Sequence, residues 1–321
     1  FVDGHWNYFA SSGAMKTGWV KDQETWYYLD KDGIMLTGRQ DINGVRYYLN
    51  ASGAMQTGWK WQDNSWYFYT NSGAMKTGWL KDKESWYYLD PETGIMAVGS
   101  KEIDGKNYFF SSAGTMQVGW QWSNDSWHYY ATSGALQTGW LKDGDAWYYL
   151  EGKEGIMLIG LHQVDGKQYY FSKSGAMQTG WKWFDNHYRY FESNGAMKTG
   201  WIKDKGVWYY LNPEDGIMLV GLHKVNGDHY YFDESGAMQT GWKQLDGNWY
   251  YFQADGSLLK NATTPDGYKV NEEGIWKQAV AAVNSEAVKP EQKQEANSSI
   301  VEQPKQDSNL EANASEKKEK E

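Results

Sequence analysis

Short apolar, aromatic-rich runs alternate with polar segments that contain glycine along most of the chain. The stretch "IDGKNYFFSSAGTM", Ile103 to Met116, shows the pattern, with Asp104-Gly105 between two short runs. An Asp-Gly or Asn-Gly pair in this position is typical of a two-residue β-hairpin turn, and aromatic residues favour a pleated, half-buried strand. Within the repeat region, residues 1–260, we find no segment with sustained helical periodicity. The pattern therefore predicts an all-β protein built from hairpins.

The hairpin pattern is a repeat of 20 or 21 residues. A Gly-Trp step marks most units, and a second aromatic cluster begins seven residues after each Trp. All 11 Met residues occupy one position of the repeat, where Leu136 and Leu258 substitute twice. Confining one residue type to one register is strong evidence for a repeat architecture. The Gly-Trp residues are Trp19, Trp59, Trp79, Trp120, Trp140, Trp181, Trp201 and Trp242.

A longer period of 60 or 61 residues groups the units into triplets. First-type hairpins begin at Trp59, Trp120, Trp181 and Trp242, and most carry an extra Trp two residues later. Second-type hairpins begin at Trp19, Trp79, Trp140 and Trp201. Third-type hairpins lack both Trp residues and begin at Gly38, Gly99, Gly160 and Gly221. Since the third type keeps its Tyr and Phe residues without either Trp, the Trp pairs are better explained by ligand binding than by folding.

A hairpin of this length cannot bury a face alone, so successive hairpins must stack into a solenoid. The triplet period suggests about three hairpins per superhelical turn. We predict about 13 hairpin units over residues 1–260, a C-terminal cap over 261–283 and a disordered charged tail or linker over 284–321.

Composition narrows the functional classes. The net charge is −10, which argues against a nucleic-acid or anionic-membrane partner, and there is no Cys to form a disulfide or a thiol nucleophile. No run is long enough for membrane insertion. The six His and the carboxylates beside turns, such as Asp30-Lys31-Asp32-Gly33, fit surface and turn roles better than metal or calcium sites. We therefore predict no catalytic residues, no metal and no cofactor.

The 20 Trp and 25 Tyr favour binding instead. Aromatic faces attract cations, and cages of rings bind quaternary ammonium groups, which have no N–H to donate. The Met column fits either core packing or a soft surface for such a ligand.

The segment "TGWLKDKESWYYLDPETGIMAVG" and its counterparts resemble the choline-binding repeats of Gram-positive surface proteins and murein hydrolases. The resemblance extends from Phe1 to Trp276, and "DGYKVNEEGIW" resembles the terminal cap of such arrays. It implies a left-handed β-solenoid on a secreted protein at the bacterial cell surface. It also implies non-covalent attachment to phosphocholine of teichoic and lipoteichoic acids through cages between successive hairpins.

The resemblance implies that each cage takes the Gly-Trp residue and the second-cluster ring of one hairpin, an aromatic residue of the next, and often the Met between them. The junctions from first-type to second-type hairpins match best: Trp59, Trp66, Met75 and Trp86; Trp120, Trp127 and Trp147, with Leu136 in place of Met; and Trp181, Tyr188, Met197 and Trp208. Weaker sites are expected where the third ring becomes Arg46, Asn107, Gln168 or His229, at Trp19 with Trp26, Trp79 with Trp86, Trp140 with Trp147, and Trp201 with Trp208. Trp242 and Trp249 are expected to form a last site with Tyr268, and third-to-first-type junctions are expected to be empty.

Alternatives remain open at this stage. The third-type units are also similar to glucan-binding repeats, in which sugars stack on aromatic rings. The chain begins Phe1-Val2 without Met or a signal peptide, which we interpret as a mature or excised fragment. It could thus be the anchoring module of a larger peptidoglycan hydrolase, or an adhesive protein with an unidentified host partner.

Overall fold

The computed structural model describes residues 1–276 as β-hairpins joined by turns, with no helix in that range. The all-β prediction is therefore confirmed for this part of the chain. Residues 277–283 of the predicted cap and the whole predicted tail, 284–321, lie outside the described residues.

Almost every strand of the array has five residues and pairs with its sequence neighbour in an antiparallel hairpin. The strands are β1 (Gly18–Asp22), β2 (Thr25–Leu29), β3 (Gly38–Ile42), β4 (Val45–Leu49), β5 (Gly58–Gln62), β6 (Ser65–Tyr69), β7 (Gly78–Asp82), β8 (Ser85–Leu89), β9 (Gly99–Ile103), β10 (Lys106–Phe110), β11 (Gly119–Ser123), β12 (Ser126–Tyr130), β13 (Gly139–Asp143), β14 (Ala146–Glu151), β15 (Ile156–Met157), β16 (Gly160–Val164), β17 (Lys167–Phe171), β18 (Gly180–Phe184), β19 (His187–Phe191), β20 (Gly200–Asp204), β21 (Val207–Leu211), β22 (Gly221–Val225), β23 (Asp228–Phe232), β24 (Gly241–Leu245), β25 (Asn248–Phe252), β26 (Ala262–Thr263), β27 (Lys269–Val270) and β28 (Ile275–Trp276).

The two-residue turns of the hairpins require left-handed backbone. Asn43 and Gly44, between β3 and β4, have φ of +53° and +78°, as a type I′ turn demands. This turn fixes the register in which Gly38 faces Leu49 and Arg39 faces Tyr48. Because the same turn length recurs, Gly18, Gly78 and Gly200 likewise face Leu29, Leu89 and Leu211, the last buried residue of each second strand.

The core lies along that last residue. Side chains at this position are at most 3% exposed: Leu29, Leu49, Tyr69, Leu89, Phe110, Tyr130, Leu150, Phe171, Phe191, Leu211, Phe232 and Phe252. Each hairpin thus contributes one fully buried Leu, Tyr or Phe, and in places further buried residues pack against it, such as Ile103 and Tyr88 beside Phe110. This thin core agrees with the low aliphatic content of the chain.

Consecutive hairpins are joined through the Met position. The backbone N–H of Met96 donates to the carbonyl of Trp66 in the preceding hairpin at 2.9 Å, and Met116 donates to Trp86 at 2.8 Å. The thioether of Met96 lies under Gly114 of the next turn, where a β-carbon would come within 2.2 Å of the sulfur. Gly114 has φ of +80°, so glycine is favoured there by both its backbone conformation and its lack of a side chain. The Met column therefore stacks one repeat on the next.

The chain divides into two units, one of Phe1–Gly139 with Leu150–Met157 and one of Trp140–Tyr149 with Leu158–Glu321, the latter described as far as Trp276. In the second unit, β26, β27 and β28 extend the last hairpin into a five-stranded sheet of order β24-β25-β28-β27-β26. Stacked hairpins are present in both units, as expected for the predicted solenoid. The superhelical hand, the number of hairpins per turn and the domain boundaries at 260 and 283 stay predictions.

Candidate functional site

The Gly-Trp residue of each Trp-bearing hairpin stands at the centre of a group of rings. Trp59 meets Trp66 of its own hairpin edge to face, with centroids 6.5 Å apart and an interplanar angle of 87°. Trp59 also contacts Tyr87 of the following hairpin at 4.8 Å. We call such a group a corner: the Gly-Trp indole, the second-cluster ring of its hairpin, and the Tyr that the next hairpin contributes.

The corner recurs with nearly constant geometry. In five further corners, the centroids of the Gly-Trp indole and the second-cluster ring are 6.1–6.4 Å apart, and the centroid of the third ring is 4.8–4.9 Å from that of the indole. These corners are Trp19/Trp26/Tyr47, Trp79/Trp86/Tyr108, Trp140/Trp147/Tyr169, Trp181/Tyr188/Tyr209 and Trp201/Trp208/Tyr230. Such recurrence indicates a repeated site.

Each corner is open on one side. Trp66 is 40% exposed, whereas Trp59 is half-buried. Two nearly perpendicular aromatic faces with a solvent-facing opening present their electron-rich surfaces to a cation. The Tyr209 hydroxyl stays protonated, because burial and the nearby Asp204 carboxylate raise its pKa above the ordinary value.

The third ring differs from the sequence expectation. We expected Trp86 to face Trp59 and Trp66, but the ring in contact with Trp59 belongs to Tyr87. Trp86 instead forms the corner of its own hairpin with Trp79, at 6.2 Å. Neighbouring residues of a strand point to opposite faces, so a shift of one residue exchanges the faces of the hairpin. In the same way Trp208 pairs with Trp201, and the ring of this hairpin that contacts Trp181 is that of Tyr209.

This difference changes the status of the sites expected to be weaker. Arg46, Asn107, Gln168 and His229 are not the residues that meet the preceding Gly-Trp indole. The next residue does so, and it is a Tyr in each case: Tyr47, Tyr108, Tyr169 and Tyr230. The second-type corners therefore have the same Trp, Trp and Tyr rings as the first-type corner at Trp59, and they differ from the corner at Trp181 only in its second ring, Tyr188.

A carboxylate distinguishes the first-type corners. The Trp59 Nε1 atom donates to Asp82 Oδ2 at 2.9 Å, and the Trp181 Nε1 atom donates to Asp204 Oδ2 at 3.1 Å. Sequence reasoning missed these partners. A signal was available, because an Asp ends the first strand of each second-type hairpin, whereas Ile or Val ends that strand in the third type.

The last corner has four rings. Trp242 lies 6.5 Å from Trp249 and 5.8 Å from Tyr268, so the three predicted residues come together. Trp276 of β28 adds a ring 6.4 Å from Trp242 that the sequence did not suggest. The Trp242 Nε1 atom donates to Asp266 Oδ2 at 2.8 Å. Burial raises the pKa of Asp266, but hydrogen bonds from the Thr264 hydroxyl and this indole outweigh it and hold that pKa below the ordinary value.

The third-to-first-type junctions have no indole at the Gly-Trp position. In the first of them, Arg39 takes that place, and its guanidinium carbon lies 4.6 Å from the centroid of Tyr67. Arg39 also forms an ion pair with Asp63. A cation of the chain itself thus lies over the Tyr that corresponds to Tyr87.

The Met residues named as ligands are half-buried and pack between repeats. The sulfur of Met75 lies under Gly94, and that of Met197 lies under Gly216. For the remaining predicted site, Trp120, Trp127 and Leu136 belong to the first unit and Trp147 to the second, so that this site stays a prediction.

Other chemistry is sparse in residues 1–276. No group of three or more His, Asp and Glu side chains in this range could hold a metal ion. The turn carboxylate of Asp30 accepts the backbone N–H groups of Asp32 and Ile34 at 2.9 Å, which is turn chemistry. The same range contains no helix of the length and apolarity needed to cross a membrane.

Family models match most of this array. The choline-binding repeat model matches residues 1–39, 36–77, 56–100, 97–136, 117–160, 178–220 and 219–262, and a cell wall binding repeat model matches residues 159–177. The chain belongs to the choline-binding repeat family. Among curated proteins, none matches the chain.

Solved structures agree with this assignment. The chain is similar to CbpJ from Streptococcus pneumoniae TIGR4, with 30% identity over 82% of this chain and 100% of that one and a TM-score of 0.52. It is similar to choline binding protein F from Streptococcus pneumoniae, with 30% identity over 81% of this chain and 98% of that one and a TM-score of 0.50. A second structure of choline binding protein F, determined in the presence of a tetrasaccharide-pentapeptide peptidoglycan analogue, matches at 29% identity over 81% of this chain and 98% of that one, with a TM-score of 0.51.

Proposed function

We propose that this protein attaches to the bacterial cell wall by binding choline groups in its aromatic corners. The observation that carries the proposal is the recurrence of the three-ring corner within the family that its repeats define. The ligands are phosphocholine groups of teichoic and lipoteichoic acids on the cell surface, to which the protein is secreted. The chain acts as a binding module rather than a catalyst.

The chemistry of choline fits the corner. A quaternary ammonium group carries a full charge but has no N–H, so it is held by ring faces and not by directional hydrogen bonds. In the first-type corners, the Asp82 and Asp204 carboxylates beside the Gly-Trp indoles add attraction for a cation. Arg39 over Tyr67 shows that the equivalent ring of another junction accepts a cation of the chain itself.

Repetition compensates for weak single sites. A small cage gives modest affinity, but several corners on one chain can engage several choline groups on one polymer, and linkage raises the overall affinity. A single corner can therefore be removed with a clear loss of one site while attachment to the polymer persists.

Titration calorimetry with choline tests the proposal. Trp66→Leu removes the exposed ring of one corner, and we expect the number of bound choline molecules to fall by one. Trp66→Tyr is the matched control, because Tyr188 occupies the same position in another first-type hairpin. We expect Trp66→Tyr to keep the site. An unchanged stoichiometry in Trp66→Leu would contradict the assignment of this corner.

A second measurement separates choline from glucan binding. We expect the protein to be retained on a resin that carries a choline-like tertiary or quaternary amine and to be released by free choline. Retention on dextran with no retention on the amine resin would favour the glucan-binding alternative instead. The match of the choline-binding repeat model to seven segments of the array supports the first outcome.

A further inference from the structure

One repeat position differs consistently between the corners of first-type hairpins and those of second-type hairpins. It lies two residues after the Gly-Trp residue, and we call it the flanking position. In first-type hairpins it holds Trp61, Trp122, Trp183 or Gln244, and in every second-type hairpin it holds a lysine: Lys21, Lys81, Lys142 or Lys203.

The flanking side chain lies beside the second-cluster ring. The register places Trp61 opposite Trp66 and Lys203 opposite Trp208. The Trp61 and Trp66 centroids are 5.5 Å apart, and the Lys203 Nζ atom is 5.6 Å from the Trp208 ring centroid. The corner at Trp208 thus has an ammonium group at its edge where the corner at Trp66 has an indole. Lys21, Lys81 and Lys142 occupy the same repeat position as Lys203.

The residue next to the Gly-Trp indole also differs between the two kinds of corner, and here the charge is on the first type. First-type corners contain a carboxylate, such as Asp82 at Trp59 and Asp204 at Trp181. At the corresponding position of the second-type corners, the next hairpin supplies a buried aliphatic residue: Ile42, Ile103, Val164 or Val225. Trp79 packs against the cluster that contains Ile103, and Trp201 against the one that contains Val225.

The two kinds of corner therefore have opposite local charge around similar groups of three aromatic rings. A carboxylate attracts a quaternary ammonium group and repels a phosphate, and a lysine does the reverse. A free choline cation in a second-type corner would be repelled by the flanking lysine. A phosphate ester on the same ligand would turn this repulsion into attraction.

From this arrangement we infer that the second-type corners are selective for phosphocholine over choline, with the flanking lysine as the partner of the phosphate. The inference rests on the proposed function, since it assigns the part of the ligand next to the choline cation. First-type corners bind the cation without this preference. Carboxylates in the turns lie close to this position: Glu24 pairs with Lys21 at 2.9 Å, and Glu84 holds the corresponding turn position three residues after Lys81. A phosphate must compete with these exposed carboxylates, which keeps the expected effect modest.

Calorimetry with choline and with phosphocholine, each at low and high salt, tests the inference on the full chain. The variant replaces all four flanking lysines, Lys21→Met, Lys81→Met, Lys142→Met and Lys203→Met, which keeps side-chain length and removes the charge. The matched control replaces four exposed lysines, Lys31→Met, Lys83→Met, Lys153→Met and Lys205→Met, and so has the same net charge.

We expect the ratio of phosphocholine affinity to choline affinity to be about two- to fivefold lower in the flanking variant than in the unchanged chain at low salt. This is the change in affinity expected from the loss of one exposed ion pair. The loss should shrink at high salt, and the control should keep the ratio of the unchanged chain. The inference would be overturned, and the proposed function kept, if the flanking variant bound choline with an unchanged phosphocholine-to-choline affinity ratio. The same would follow if the control variant lost as much of that ratio as the flanking variant. If the unchanged chain bound no choline, the proposed function would fail and the inference with it.

Discussion

Two successive hairpins, β7–β8 and β9–β10, have the same pairing register and different surfaces. Both begin with a left-handed glycine, use a two-residue turn and end on a buried residue, Leu89 or Phe110. The first carries Trp79 and Trp86, and the second has Ser100 and Asn107 in their places. Because the second hairpin forms without either indole, the hairpin itself needs the glycines, the turn and the buried residue but not the Trp pair. Trp79 nevertheless packs against the buried cluster of Tyr88, Ile103 and Phe110, while Trp86 is exposed.

The largest expected effect comes from the part that the two hairpins share. Phe110→Ala removes a side chain that is 1% exposed and fills the core row of the Trp-less hairpin. We expect a loss of about 3–5 kcal/mol in the free energy of unfolding, the usual range for Phe→Ala in a core. Urea unfolding followed by Trp fluorescence measures it. The control is Val98→Ala at an exposed side chain. If Phe110→Ala lowered the free energy of unfolding by less than Val98→Ala, the buried residues would not support the array.

A smaller loss is expected at the contact between repeats. Gly114→Ala would place a β-carbon 2.2 Å from the Met96 sulfur at φ of +80°. Gly119 has φ of +73° but no atom within 4 Å, so Gly119→Ala reports the backbone strain alone. We expect Gly114→Ala to cost about 1–3 kcal/mol and more than Gly119→Ala. Equal costs in thermal unfolding would mean that the Met column does not constrain the stack.

The comparison can also be tested by adding the missing indoles. Leu222 and His229 occupy the two Trp positions of the last third-type hairpin, and Tyr250 follows at the third-ring position. We expect Leu222→Trp with His229→Trp to bind one more choline than the unchanged chain, with little change in stability. The control is Leu222→Phe with His229→Asn, which changes the same two positions without introducing Trp. If calorimetry gave no additional site, a Trp pair with a following Tyr would not be sufficient for binding.

The smallest expected effect concerns pH at the terminal corner. The folded-state pKa of Asp266 is lowered, so its contribution to stability is present above the ordinary Asp pKa of about 3.9 and is lost as the pH falls through the lower folded value. We expect the NMR shift of the Trp242 indole N–H to titrate with a midpoint below about 3.9. Asp266→Asn should abolish the titration, and a midpoint at or above the ordinary value would contradict the role of the two hydrogen bonds.

The same comparison shows which parts of the site were predictable. Trp79 and Trp86 were assigned to one site because both are absent from the third type, and their rings do meet. The Tyr and Phe residues that every hairpin type keeps were not assigned to the binding sites, yet Tyr87 contacts Trp59 of the preceding hairpin. Alternation along the strand puts Trp86 and Tyr87 on opposite faces, but it does not say which face meets the preceding repeat. The role of Met75 was left between packing and binding for the same reason, and its sulfur lies under Gly94.

The sequence alone determined the hairpins, their two-residue turns, their repetition and the grouping of indoles, because these depend on local backbone preferences and on spacing along one chain. Only the tertiary structure decided which neighbours complete each corner: Tyr87 and Asp82 at Trp59, and Trp276 at Trp242. These contacts join different hairpins, so they depend on how one repeat is displaced and rotated against the next. That displacement is set by packing across the stack, where a shift of one residue exchanges one face of a strand for the other.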